Sequence, residues 1–109
     1  GRADDTIIRG GENIAPAEIE DVLAHHPHVR EVAVIGTPDD EWGERICAVI
    51  VPSVDDHDDP EEIRTWCRAR LRGSRTPDDV VFADDLPRTP TGKLVRRDLV
   101  EQITAGLAG

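Results

Sequence analysis

Val29-Arg30-Glu31-Val32-Ala33-Val34-Ile35 and Ile46-Cys47-Ala48-Val49-Ile50-Val51 are the stretches that decide the fold. Both are rich in β-branched residues, and the second is apolar without interruption, so they read as central strands. Gly36-Thr37-Pro38-Asp39-Asp40 carries the residues that end a strand, which leaves Asp39–Glu44 as a connecting loop with Trp42 on it. Towards the N-terminus, Pro16 at a first helical position and Ile19, Val22 and Leu23 at helical spacing predict a helix over 16–25. A short strand and the Gly10-Gly11 turn precede it as a two-stranded hairpin.

On the other side, Asp59-Pro60-Glu61-Glu62 supplies an N-cap acid, proline at N1 and glutamate at N3, with Ile63, Trp66, Cys67 and Leu71 as the buried stripe that follows. Val80–Ala83 predicts a third short strand. Val95, Leu99 and Ile103, spaced at i, i+4 and i+8, predict a closing helix that frays over Gly106–Gly109. The acid-rich Pro52–Asp58 reads as a solvated surface connection. The sum is an α+β fold: a small mixed or antiparallel sheet of about three strands, helices packed on it, and the N-terminal hairpin.

With 109 residues the chain fits one domain. Its 23 acidic and 13 basic residues give a formal charge of −10, which disfavours nucleic acid and anionic membranes as partners. No run approaches the roughly 20 apolar residues of a membrane span. Without a methionine, the chain is expected to be a fragment or processed piece of a longer one. Cys47, in an apolar strand, and Cys67, on an apolar helix face, suit buried thiols in a reducing, cytoplasmic compartment better than a disulfide framework.

Lys93 is the single lysine beside the arginines, in Pro87-Arg88-Thr89-Pro90-Thr91-Gly92-Lys93. An ammonium is a compact, mobile point charge suited to an anionic reaction centre, although by itself an exposed lysine equally well serves solubility. Glycine at 10 and 11 meets the needs of a plain turn or of a wall that a ligand approaches closely. The Trp42 indole either folds onto the domain's own surface or stacks on a ligand. His25, His26 and His28 form a helix-end cluster, since Pro27 interrupts the helix and no carboxylate or cysteine completes a metal-ligand spacing.

Taken together, Gly1-Arg2-Ala3-Asp4-Asp5-Thr6-Ile7-Ile8-Arg9-Gly10-Gly11-Glu12-Asn13-Ile14-Ala15-Pro16-Ala17-Glu18-Ile19-Glu20 and Leu86-Pro87-Arg88-Thr89-Pro90-Thr91-Gly92-Lys93-Leu94-Val95-Arg96-Arg97-Asp98-Leu99 resemble the two ends of one family domain. That domain is the C-terminal lid of the adenylate-forming enzymes, particularly the acyl- and aryl-CoA synthetases, and the resemblance covers essentially residues 1–109. It implies a catalytic Lys93 that contacts substrate carboxylate and phosphate oxygens during adenylation. It also implies that Arg2 contacts the nucleotide ribose, that Asp4 is the pivot of a hinge region over Gly1–Asp5, and that Gly10, Gly11, Glu12 and Asn13 line a pantetheine channel, with Trp42 near the CoA adenine. Read without the resemblance, Arg2 and Asp4 are a charged tail. The implied substrates are a small carboxylic acid, ATP and CoA. The implied partner is a large N-terminal AMP-binding domain, with Mg2+ accompanying ATP there and not bound by this domain. The spacing from Pro87 to Gly92-Lys93 also matches the surroundings of the lysine that bacterial acetyltransferases modify in such ligases, making Lys93 a candidate acetylation site whose charge acetylation would delete.

In one place the chain departs from the family pattern. Ser74-Arg75-Thr76-Pro77-Asp78-Asp79 has two aspartates where many relatives carry aromatic and basic residues, and aspartates repel CoA phosphates. Either Arg72 and Arg75 compensate, or nucleotide binding is displaced, or the acceptor is a carrier-protein phosphopantetheine. Two alternatives therefore stand beside the ligase: the lid of an adenylation domain that loads a carrier protein, and a non-catalytic acidic interaction module.

Overall fold

The computed structural model describes residues 5–53 and 59–108. Strands β1 (Ile7–Arg9) and β2 (Glu12–Ile14) form the hairpin, helix α1 (Pro16–Leu23) follows, and β3 (Val29–Asp39) and β4 (Gly43–Pro52) form a long second hairpin. Helix α2 (Pro60–Arg68), a 3-10 turn (Gly73–Arg75), β5 (Asp79–Phe82) and α3 (Arg96–Ala108) complete the chain.

The α+β class holds, but the hairpin is not separate from the sheet. Arg9 pairs with Gly43, so β1 and β2 extend one five-stranded sheet in the order β2-β1-β4-β3. Strand β5 joins beside β4 in parallel, in register from Cys47 opposite Asp79 to Ile50 opposite Phe82. The β4 strand therefore has β3 along one side and both β1 and β5 along the other. Its odd and even residues pack into two cores: Ile46, Ala48 and Ile50 against α1 and α2, and Cys47, Val49 and Val51 against Leu86 and α3. Burial on both faces is why this strand carries no polar alternation.

The β3 strand runs four residues past the expected stop, through Gly36, Thr37, Pro38 and Asp39. A proline belongs there because β3 pairs only with β4 and leaves its other edge free, where a missing N–H costs no ladder bond. The loop expected over Asp39–Glu44 shrinks to a tight turn. Asp39 Oδ1 accepts the N–H groups of Glu41 and Trp42, each at 2.8 Å, and Gly43 takes the left-handed φ of +84° that closes it.

Helix α1 ends at Leu23 rather than at residue 25, with His25 and His26 in the turn beyond it. Asp59 caps α2 by accepting from Glu61 and Glu62 N–H. Trp66 is only half-buried: it packs against the first core, meets the His26 ring edge at 5.0 Å and carries the Arg70 guanidinium at 3.7 Å over its face. Leu99, 1% exposed, anchors α3, and burying such a side chain contributes about 1.5–3 kcal/mol. The α3 helix continues through Gly106, where fraying was expected. Of the acid-rich connection, 54–58 lie outside the described residues.

Candidate functional site

Lys93 follows a turn built almost entirely from backbone and hydroxyl bonds. Gly92 N–H donates to Thr89 O at 2.9 Å, Thr89 N–H to Lys93 O at 2.8 Å, and Lys93 N–H to Thr89 Oγ1 at 3.1 Å. Gly92 has φ +92°, a conformation that L side chains avoid. Arg88 fastens the turn from outside, donating through Nη1 to Gly92 O at 3.1 Å and pairing through Nη2 with Glu31 on β3. Lys93 itself is exposed, and its ammonium has no ion pair or hydrogen bond among the described residues. It borders an open groove of about 840 Å³ shared with Asp5, Ile7, Glu44, Thr89 and Arg96. An exposed cation on this turn, without a partner among the described residues, has the chemistry to meet an anion.

The second surface is the corner where the Gly10-Gly11 turn meets the β3–β4 turn. Gly10 N–H donates to Trp42 O at 2.8 Å, and a Cβ on Gly10 would lie 2.8 Å from the indole Cε3. Gly10 is therefore glycine for two reasons: its φ of +59° and the indole against it. Gly11, at φ +82°, has nothing within 4 Å of its would-be Cβ and faces open space. Trp42 remains 40% exposed while Arg9 lies 4.5 Å over its ring, and Ile8, the residue before Arg9 on β1, is 53% exposed. The indole is thus folded partly onto its own domain and partly presented outward.

Charges at this corner are paired internally. Arg9 makes a two-pronged contact with Asp78, at 3.0 and 2.9 Å, and Asp78 Oδ2 also accepts Ile46 N–H at 2.7 Å. Arg45 pairs with Asp39 and Asp79. The two aspartates that depart from the family pattern are therefore paired in place, Asp78 with Arg9 and Asp79 with Arg45. Arg75, one of the two arginines that could compensate, is occupied by Glu12 and Glu18, whereas Arg72 is exposed. Glu12 consequently points its carboxylate at Arg75, while Asn13 is exposed. Hydrogen bonds from Trp42 N–H first, and then from Glu41 N–H and Arg45, hold the Asp39 carboxyl below its ordinary range.

The structure brings Gly10 and Trp42 together, keeps Gly11 on the same turn and places Glu12 and Asn13 at the start of β2. Lys93 belongs to a different groove, and the expected sites Arg2 and Asp4 lie outside the described residues. Sequence reading missed the Arg9–Asp78 and Arg75–Glu12 pairs, because no local signal links residues 69 and 63 positions apart. In the helix-end cluster His25 Nδ1 contacts Asp21 O at 2.8 Å, and His26, buried, accepts His28 N–H at Nδ1 and meets Glu62 at Nε2. No group of three or more His, Cys, Asp or Glu that could hold a metal ion occurs among the described residues. Cys47 and Cys67 are free and buried, and burial pushes their thiols up to about 12 and about 11. No helix among the described residues is long and apolar enough to cross a membrane.

Residues 18–93 match the model of the AMP-binding enzyme C-terminal domain. The chain belongs to that family. This AMP-binding C-terminal domain is 45% identical over 104 residues to the long-chain-fatty-acid–CoA ligase FadD13 of Mycobacterium tuberculosis, covering 95% of this chain and 20% of that one. It is 46% identical over 98 residues to a feruloyl-CoA synthase of Amycolatopsis, covering 90% of this chain and 20% of that one. Its fold superposes on ATP-bound MatB from Rhodopseudomonas palustris with a TM-score of 0.91 at 36% identity, over 95% of this chain and 21% of that chain. The domain thus spans about a fifth of the length of these relatives.

Proposed function

We propose that residues 1–109 are the mobile C-terminal lid of an ATP-dependent acid–CoA ligase whose large N-terminal domain supplies the acid pocket and most of the ATP site. In the first step a carboxylate oxygen attacks the α-phosphorus of ATP, the bond to the β-phosphate breaks, and pyrophosphate leaves. In the second a thiol sulfur attacks the acyl carbonyl of the adenylate, giving the thioester and AMP. The observation that carries this reading is the exposed Lys93 ammonium, without a partner among the described residues, on its turn in a domain of this family.

Lys93 contributes to the first step by meeting negative charge as it builds on the carboxylate and phosphate oxygens. A donor placed in this way lowers the barrier by about 3–4 kcal/mol, roughly two to three decades of rate. Arg2 holds the ribose and Asp4 is the pivot. After the turn about Asp4, Lys93 withdraws and Gly10, Gly11, Glu12 and Asn13 border the pantetheine, with Trp42 presenting its outer face to the acceptor. The open space at Gly11 supports this placement. Mg2+ accompanies ATP on the larger domain: the acids near Lys93 are committed, Asp5 to Arg96 and Glu44 to Ile8 N–H, and no step here runs through the ion. The buried, unpaired thiols support a cytoplasmic setting. The exposure of Lys93 supports it as an acetylation target, which an acetyltransferase with acetyl-CoA and intact-mass readout tests.

A second reading, loading of a carrier-protein phosphopantetheine, draws on the internal pairing of Arg9, Arg45 and Arg75, which leaves little free positive charge at the corner for CoA phosphates. Thioester formed with free CoA or only with a carrier protein separates the two.

The test uses the full-length enzyme with palmitate and ferulate as trial acids. Acid-dependent pyrophosphate release is expected, and Lys93→Ala should reduce it by about 100-fold or more while thioester formation from preformed acyl-adenylate changes little. A Lys93→Ala enzyme that keeps the wild-type rate of pyrophosphate release would sink the catalytic reading and leave the interaction module.

A further inference from the structure

We infer that Arg96 is a positioning residue for Lys93, joining the loop that carries the ammonium to the point where the chain enters the domain; this rests on the reading of Lys93 above. Arg96 stands three residues after Lys93, at the first position of α3, and lines the same groove. Its guanidinium meets three other segments of the chain. Nη1 donates to Val34 O at 2.8 Å, Nη2 donates to Glu20 Oε1 and Oε2 at 3.2 and 2.9 Å, and Nε lies 3.7 Å from Asp5 Oδ2. Glu20 Oε2 in turn accepts Val34 N–H at 2.9 Å. Both backbone groups of Val34, on the free edge of β3, are thus satisfied by side chains from α1 and α3, which lie on opposite faces of the sheet.

Covering an edge would account for Glu20 and Val34, since a charge at a strand edge blocks pairing with another chain. It does not account for Asp5 or for the nearness to Lys93. Asp5 directly follows Asp4, the proposed pivot. A rotation at the pivot must carry Lys93 to within reach of its anions, and the path through structure is short: Asp5 to Arg96, then three residues to Lys93. Arg88 ties the lysine turn to Glu31 on β3, and Leu94 packs against the second core, but neither reaches the entering chain. A planar fork of five donors can hold Val34, Glu20 and Asp5 together, and a lysine in its place can hold only some of them. Small misplacements are expensive in catalysis, with about 1 Å costing on the order of 100-fold, so a brace that contributes little to stability can still matter to rate.

The full-length enzyme, with the acid that supports pyrophosphate release, is assayed separately for adenylation and for thioester formation from preformed acyl-adenylate. Arg96→Gln should lower kcat for adenylation by about tenfold or more, leave KM for ATP within about twofold and leave the thioester step nearly unchanged. Arg96→Lys should not restore adenylation fully. Equal losses in both steps, or an unchanged adenylation rate in a folded enzyme, would overturn the inference. If Arg96→Gln does not fold, Asp5→Asn decides, because that partly exposed pair adds little to stability. About a threefold loss confined to adenylation, at constant Tm, supports the brace, and no change overturns it. Lys93→Ala in the same assay separates this inference from the one beneath it. If Lys93→Ala abolishes adenylation while the Arg96 and Asp5 variants do not alter it, only the brace falls. If Lys93→Ala is fully active, both fall.

Discussion

The Lys93 turn and the Gly10–Trp42 corner are both glycine-built surfaces, yet they treat charge in opposite ways. At the corner the arginines among the described residues are matched by acids: Arg9 by Asp78, Arg45 by Asp39 and Asp79, Arg75 by Glu12 and Glu18. At the Lys93 turn Thr89, Gly92 and Lys93 are tied through their backbone, and the ammonium has no partner among the described residues. Pairing fixes shape and cancels field, whereas an unpaired cation keeps its field for an incoming anion. The first surface therefore suits a neutral, extended ligand such as a pantetheine arm, and the second suits phosphate and carboxylate.

The sharpest way to break this comparison is Gly11→Leu. The side chain would enter open space at φ +82°, so a pantetheine wall predicts at least about a tenfold loss of thioester formation with adenylation largely retained. A plain turn predicts only backbone strain of about 1–2 kcal/mol and no difference between the two half-reactions. That variant, set against Lys93→Ala, asks whether the surfaces serve different steps; a parallel fall in both steps for each variant would abolish the distinction.

Gly10→Ala is a smaller perturbation of the same corner. The new Cβ meets the indole at 2.8 Å in a left-handed backbone, which should cost about 1–3 kcal/mol and shift Trp42 fluorescence as the ring moves. Unchanged emission and denaturation midpoint would mean that Trp42 does not rest on Gly10 in solution. The smallest effect is expected at Cys47 and Cys67, whose thiols burial pushes to about 12 and about 11. Because the reactive thiolate is the minor form at neutral pH, alkylation of the native chain should be slow, rising towards the rate of the unfolded chain as the pH approaches those values or denaturant is added. Rapid labelling at neutral pH would show that the two cores open more readily than their burial implies.

Much of this could be read along the chain. The two central strands, the capped α2, the closing helix and the placement of Gly10-Gly11 and Lys93 on turns follow from periodicity, propensity and capping, which act between residues a few positions apart. Pro38 misled because a proline is a strand breaker in general and harmless on a free edge, and which strand lies at the edge is a property of the whole sheet. Trp66 misled in part because a helical stripe identifies a face, not how deeply its last aromatic sinks.

By itself, the sequence determined the order and kind of the elements and the family, and it singled out Lys93 as the cation on which the proposed chemistry rests. Only tertiary structure decided the partners. Gly10 meets Trp42, Asp78 cancels Arg9, Arg75 takes Glu12, and Arg96 gathers Asp5, Glu20 and Val34, because β4 lies between β3 on one side and β1 and β5 on the other. An ion pair between residues so far apart in sequence leaves no local signature: its energy depends on a distance that exists only once the sheet has formed.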